Sequence, residues 1–128
     1  MRLACKLAVL ALLLTQCKLG AAATKVVAIT VDGVVHPITV EILSHAIEHA
    51  RKQKADIVLI RLNTPGGLLE ATRRLVEQID GSPVPIVTFV TPSGGRAASA
   101  GFFILEAGDV AAMAIGTNAG AASPVLIG

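Results

Sequence analysis

Tyrosine and tryptophan are absent from this 128-residue chain, and phenylalanine occurs only three times. That excludes the aromatic platforms on which single-stranded nucleic acids stack, and aromatic sugar sites with them. Basic residues do not cluster beyond "RKQK" at 51–54, and the formal net charge is +2, so no electrostatic footprint for nucleic acid is present. Neither the G-x-G-x-x-G of dinucleotide folds nor the GK[ST] of phosphate loops occurs. Cysteine is limited to Cys5 and Cys17. Beyond Arg96 there is no histidine and no lysine, and Glu106 and Asp109 are the last ionisable side chains.

What is present begins with a leader. "MRLACKLAVLALLLTQCKLGAAA" places Arg2 and Lys6 before an apolar run from Leu7 to Leu14, then small residues around Ala21–Ala23. This is the layout of a secretory signal peptide, and the run is too short to span a bilayer as an anchor. Residues 1–23 are therefore read as a signal peptide and 24–128 as one domain. Removing the leader takes away Arg2, Lys6 and Lys18, leaving eight basic residues against nine acidic ones, a net charge of −1. It also removes both cysteines, and with them any disulfide, thiolate nucleophile or cysteine-based metal site.

From Lys25 onward β and α patterns alternate. "KVVAITVDG", "ADIVLIRLN" and "VPIVTFVT" read as strands, and "DVAAMA" as a possible fourth. Between them, "ITVEILSHAIEHARKQK" carries apolar residues at helical spacing, with Thr39 a candidate N-cap. "TPGGLLEATRRLVEQIDGS" turns on Pro-Gly-Gly and then runs helical. "AASAGFFILEAG" reads as a short buried helix. Strand–helix alternation of this spacing implies an α/β fold with a parallel sheet and crossover helices, and strands apolar throughout imply cover on both faces. The final "GTNAGAASPVLIG" ends without a helix or polar tail and reads as cut, so the domain is expected to be incomplete at its C-terminus.

Ligands of open parallel sheets bind at the carboxyl ends of the strands. "DGVVH", "NTPGG" and "TPSGGRAASAG" gather there. The latter two are glycine-rich and each enters a helix, whose free N–H groups suit an anion or a developing oxyanion. Taken singly these turns are weak signals: Gly66-Gly67 serves equally as a tight turn, and Ser99 as a small residue in helix packing. Other candidates are weaker still. His45 and His49 are four apart on a helix, but "HAIEH" is not H-E-x-x-H and no third ligand is evident, so no metal site is expected. His36 precedes Pro37 in a loop, and Arg61 suits a paired structural role. Ser93 lies in a Pro-Gly turn and is the rival serine to Ser99.

Together, "VVAITVDGVV" (26–35), "IVLIRLNTPGG" (57–67), "GGRAASAG" (94–101) and "MAIGTNAGAASPV" (113–125) resemble the Clp-protease/crotonase superfamily. Within it they are most similar to the ClpP-class membrane serine proteases of the NfeD type, with signal peptide peptidase A a cousin. The resemblance covers nearly all of the chain after the leader. It implies a serine endopeptidase that needs no cofactor, with Ser99 the nucleophile. The Gly66 N–H, helped by Gly67, and the Ala100 N–H would form the oxyanion hole. Gly94 and Gly95 would lie beside an extended substrate strand. It further implies a polypeptide substrate, apolar and extended and drawn from membrane proteins, a homo-oligomer, and an exported or membrane-associated domain on the extracytoplasmic side. A serine needs a base. In the classical Clp protease a histidine lies near the position of Ser123, whereas NfeD-type relatives use a lysine farther along, which here would fall beyond Gly128. Ile115 replaces a proline usual in relatives, which puts the turn after the fourth strand in question. The contrary reading is a truncated module that binds peptide without cleaving it.

Overall fold

A computed structural model describes residues 23–123, so all but the last residue of the expected leader lies outside the described residues. Strands β1 (Val26–Asp32), β2 (Ile57–Asn63), β3 (Ile86–Val90) and β5 (Val110–Met113) form a four-stranded parallel sheet in that spatial order. Helices α1 (Pro37–Gln53), α2 (Leu69–Asp80) and α3 (Ala100–Ala107) are the crossovers. The register is unbroken, with Val26 beside Ile57 and Asp32 beside Asn63 at the two ends of the first pair. Two short strands, β4 (Arg96–Ala98) and β6 (Asn118–Gly120), pair in parallel as a second small sheet. Their sequences are too short and too rich in glycine and alanine to show an alternating pattern.

The period-2 geometry of a strand sorts its side chains onto two faces. Val58, Ile60 and Leu62 of β2 and Ile86, Thr88 and Val90 of β3 are all buried and meet Leu43, Leu75, Ile79 and Ile104 from the helices. On the opposite face the described residues do not supply the expected double cover. There Ile57, Leu59, Val87 and Phe89 are only half-buried, Val110 is 55% exposed and Arg61 is exposed. Apolar strands show that both faces avoid water; they do not show what covers them. Arg61 has no ion-pair partner among the described residues, so its expected pairing is not found there.

Helix α1 begins two residues before Thr39. Pro37 occupies the first turn, where its missing N–H costs nothing, and His36 is the N-cap. Thr39 sits at the third helical position, where its hydroxyl accepts the His36 N–H at 3.4 Å. At the other end Lys54 adopts a left-handed conformation and donates its N–H to the Ala50 and Arg51 carbonyls. Beneath α3, the buried Thr88 hydroxyl donates to Leu105 O at 2.8 Å, and the Asp109 carboxylate accepts the Ile86 N–H at 2.7 Å. These bonds tie the end of α3 and the start of β5 to β3. After β5, Ile115 is 93% exposed and the turn still closes, with the Thr117 N–H donating to Ala114 O at 3.2 Å. Proline is therefore not required there.

Candidate active site

The carboxyl ends of β1 and β2 are stitched together by one side chain. Asn63 donates from Nδ2 to Asp32 Oδ1 at 3.0 Å and accepts the Arg96 N–H on Oδ1 at 3.2 Å. Next to it, Thr64 pairs with the other glycine-rich segment as a single added residue of strand. Its N–H donates to Arg96 O at 2.7 Å, and its carbonyl accepts the Ala98 N–H at 3.0 Å. "NTPGG" and "GGRAASAG" are thereby locked side by side although 30 residues separate them in sequence.

Thr64 also organises the turn. Its fully buried hydroxyl accepts the Gly66 N–H at 3.1 Å and donates to Gly66 O at 3.0 Å. The Gly66 carbonyl takes the Val35 N–H as well, and the Leu68 N–H reaches Val35 O, both at 2.9 Å. The consequence bears on the expected oxyanion donors. The Gly66 N–H is already spent on Thr64, whereas the Gly67 N–H has no acceptor among the described residues. Both glycines are dictated by space or backbone. Gly66 has φ +134°, and a Cβ there would lie 3.1 Å from Ser99 Cβ; a Cβ on Gly67 would overlap Val35 O.

Ser99 is the N-cap of α3, with φ 53° and ψ −113°, a conformation that side-chain-bearing residues rarely adopt. Its own N–H donates to Gly120 O of β6 at 2.8 Å, which holds the residue from behind. The side chain is exposed and faces Gly66, since a Cβ built on that glycine would be 3.4 Å from Ser99 Oγ. The Ala100 N–H is the first of α3 and is among the helix's orphan donors, with no acceptor among the described residues. Behind the serine, Gly101 presses on Thr64: a Cβ there would fall 2.4 Å from Thr64 Cγ2.

The structure thus gathers Ser99, Ala100, Gly66 and Gly67 at one point. Gly94 is exposed with φ +81°, and its surroundings are open. Gly95 is buried, and its N–H and carbonyl are both engaged, with Pro92 O at 2.8 Å and the Asn118 N–H at 3.2 Å. Of the two expected substrate-strand contacts, Gly94 has the free backbone. Ser93 is exposed in the turn, and Ser123 lies in exposed coil. His45 and His49 point from the exposed face of α1, and no group of three metal-ligating side chains occurs among the described residues. The residue that sequence reasoning passed over is Thr64; its signal is a hydroxyl immediately before Pro-Gly-Gly, at the end of an apolar strand.

Parallel sheet, small second sheet and the serine–glycine junction define the class: a ClpP-like α/β domain. Residues 25–126 match the family described as NfeD1b, N-terminal domain, and the chain belongs to that family. It is 35% identical over 96 residues to the membrane-bound protease PH1510 of Pyrococcus horikoshii, covering 75% of this chain and 22% of that protein. It is 35% identical over 83 residues to the membrane protein NfeD1b of Bacillus subtilis, covering 65% of this chain and 18% of that one. Among solved structures it superposes on the 1510-N membrane-bound stomatin-specific protease, as a serine-to-alanine mutant, with TM-score 0.78 and 33% identity over 82% of this chain and 51% of that chain. A lysine-to-alanine mutant of the same protease, in complex with a substrate peptide, matches with TM-score 0.78 and 34% identity over 82% of this chain and 48% of that one. ClpP1 of Listeria monocytogenes, at 23% identity and TM-score 0.58 over 64% of this chain and 46% of that one, shares the fold. The chain therefore spans about half of the solved protease domain and about a fifth of the curated relatives. No helix among the described residues is long and apolar enough to cross a membrane.

Proposed function

We propose that this chain carries the nucleophile half of a membrane-associated serine endopeptidase. Ser99 Oγ attacks the scissile carbonyl, and the N–H groups of Gly67 and Ala100 receive the developing oxyanion. The observation that carries this reading is the junction itself: an exposed serine in a strained conformation, beside two backbone donors with no acceptor among the described residues. Preorganised donors of this kind contribute most to acyl transfer, because they need not reorient as charge appears. Thr64 would be a positioning residue, turning the Gly66 peptide so that the next N–H faces outward. An extended polypeptide is the substrate, with Gly94 offering its free backbone as a contact. The relative solved with a substrate peptide supports the polypeptide class.

The base is a lysine expected beyond residue 128, since residues 97–128 hold neither histidine nor lysine. The relative solved as a lysine-to-alanine mutant in complex with a substrate peptide supports that choice. The alternative reading is a module that binds peptide without cleaving it. Labelling the intact protein with a serine-directed phosphonate separates the two. The expected result is one adduct, lost in Ser99→Ala. Labelling that persists in Ser99→Ala overturns Ser99. No labelling, with peptide still bound, establishes the non-catalytic module.

A further inference from the structure

The two oxyanion donors come from different segments of chain. The Gly67 N–H belongs to the turn after β2, whereas the Ala100 N–H follows β4. Their separation is therefore set by the seam between the segments and not within either one. Thr64 gives that seam two backbone bonds, to Arg96 O and from the Ala98 N–H. Both bonds centre on one residue, so alone they leave the β4 segment free to rock about Thr64.

The Arg96 N–H is where the ladder runs out of acceptors. A regular parallel ladder that pairs Thr64 with Arg96 O and the Ala98 N–H would next send the Arg96 N–H to Leu62 O. Leu62 O already accepts the Thr91 N–H at 3.0 Å, because β3 holds that stretch of β2. The Asn63 carbonyl is turned the other way and accepts the Gly33 N–H at 2.9 Å. The Asn63 side chain supplies the missing acceptor, its Oδ1 taking the Arg96 N–H at 3.2 Å. One end of the amide thus replaces a strand carbonyl where β2 passes from β3 to β4. The other end fixes its orientation. Asp32 lies beside Asn63 in the register, and its Oδ1 accepts from Asn63 Nδ2 at 3.0 Å. An ionised carboxylate only accepts and a backbone N–H only donates. Flipping the amide would set donor against donor and acceptor against acceptor.

We infer that Asn63 is a positioning residue for the acyl-transfer site. Oriented by Asp32, its amide holds the β4 segment at Arg96 and so fixes Ser99 and the Ala100 N–H against the Gly67 N–H. The catalytic part of this inference rests on the serine-endopeptidase reading; the clamp rests on the hydrogen bonds. A small slip of the seam is felt most by the transition state, which needs both donors at once, and less by a peptide lying along one segment. Losing the clamp therefore slows the chemical step before it weakens binding.

The test uses the intact protein at about pH 8, above the range of carboxylate titration, and a serine-directed phosphonate as probe. Asn63→Ala should lower the limiting rate of Ser99 labelling roughly tenfold to a hundredfold, with the half-saturating probe concentration within about twofold of the parent. Asn63→Asp sets two carboxylates against each other and should also be slow. The reversed pair, Asp32→Asn with Asn63→Asp, keeps the net charge, returns one donor to the bridge and leaves an acceptor for Arg96. It should recover the rate to within about threefold of the parent, as coupled contacts do. Hydrogen exchange at the Arg96 amide should quicken roughly tenfold in Asn63→Ala and return in the reversed pair. Should Asn63→Ala fail to fold, Asn63→Asp against the reversed pair decides both readouts. The proposal is overturned by a reversed pair no faster than Asn63→Asp, or by a loss confined to the half-saturating concentration. If the parent itself is not labelled, the nucleophile reading falls and the Arg96 amide judges the clamp alone: quickened exchange that the reversed pair restores supports it, and unchanged exchange overturns it.

Discussion

At residue scale, contact between Gly101 and Thr64 holds the serine in place. The absence of a side chain at 101 lets α3 start against the turn that presents Gly67. Gly101→Ala should destabilise by about 1–3 kcal/mol, the usual cost of overpacking. The atom it would strike is Thr64 Cγ2, which serine lacks. In a Thr64→Ser background the same substitution should therefore cost at least ~0.5 kcal/mol less, the lower end of coupling between touching residues. Urea denaturation of the four variants checks this; strict additivity would show that the clash lies elsewhere. Gly67 offers no such relief, since its would-be neighbour is the Val35 backbone. Sequence reasoning nominated Ser99 and the glycine pair through a family likeness. It put the Gly66 N–H first and Gly67 second, an order that depends on which N–H the Thr64 hydroxyl consumes, and here that is Gly66.

At the scale of the element, α1 carries a charge cluster near its C-terminus. Glu48 contacts Arg51 at 3.0 Å and Lys52 at 3.3 Å, all well exposed. Hydrogen bonds from Arg51 and then Lys52 hold the Glu48 carboxyl down at about 2, from an ordinary 4.5. A carboxyl with a depressed folded pKa stabilises fully above its unfolded value and loses that contribution as pH falls toward the folded one. The difference in melting temperature between the parent and Glu48→Gln should thus be constant above about pH 5, the upper limit of carboxylate titration, and close by about pH 2. The effect is small because solvent screens exposed pairs. The helix itself was legible from apolar spacing and its basic end. Its start was not: Thr39 is a good cap by type, but Pro37 begins the helix earlier.

At the scale of the whole molecule, the described residues cover the two faces of the sheet unequally. Ile60 is 1% exposed beneath the helices, while its neighbour Leu59 is half-buried on the other face. In this 128-residue chain Ile60→Ala should cost about 2–5 kcal/mol. Leu59→Thr should cost under ~1 kcal/mol, as for a site away from the core. Equal losses in chemical denaturation would mean that something outside residues 23–123 packs on Leu59. Because the chain spans about half of the solved protease domain it resembles, that comparison also measures how far this half stands alone.

The amino-acid sequence by itself determined the alternation of strands and helices, the parallel sheet and the two glycine-rich turns at its carboxyl end, because apolar periodicity and backbone-permissive residues are local properties. The tertiary structure alone decided the rest. Pairing of Thr64 with Arg96 and Ala98 joins segments 30 residues apart, β4 and β6 exist as strands only through that packing, and the partners of each backbone N–H depend on where distant carbonyls and hydroxyls come to lie. Which sheet face the described residues cover is likewise a question of three-dimensional arrangement, since an apolar strand asks for burial without naming the neighbour that provides it.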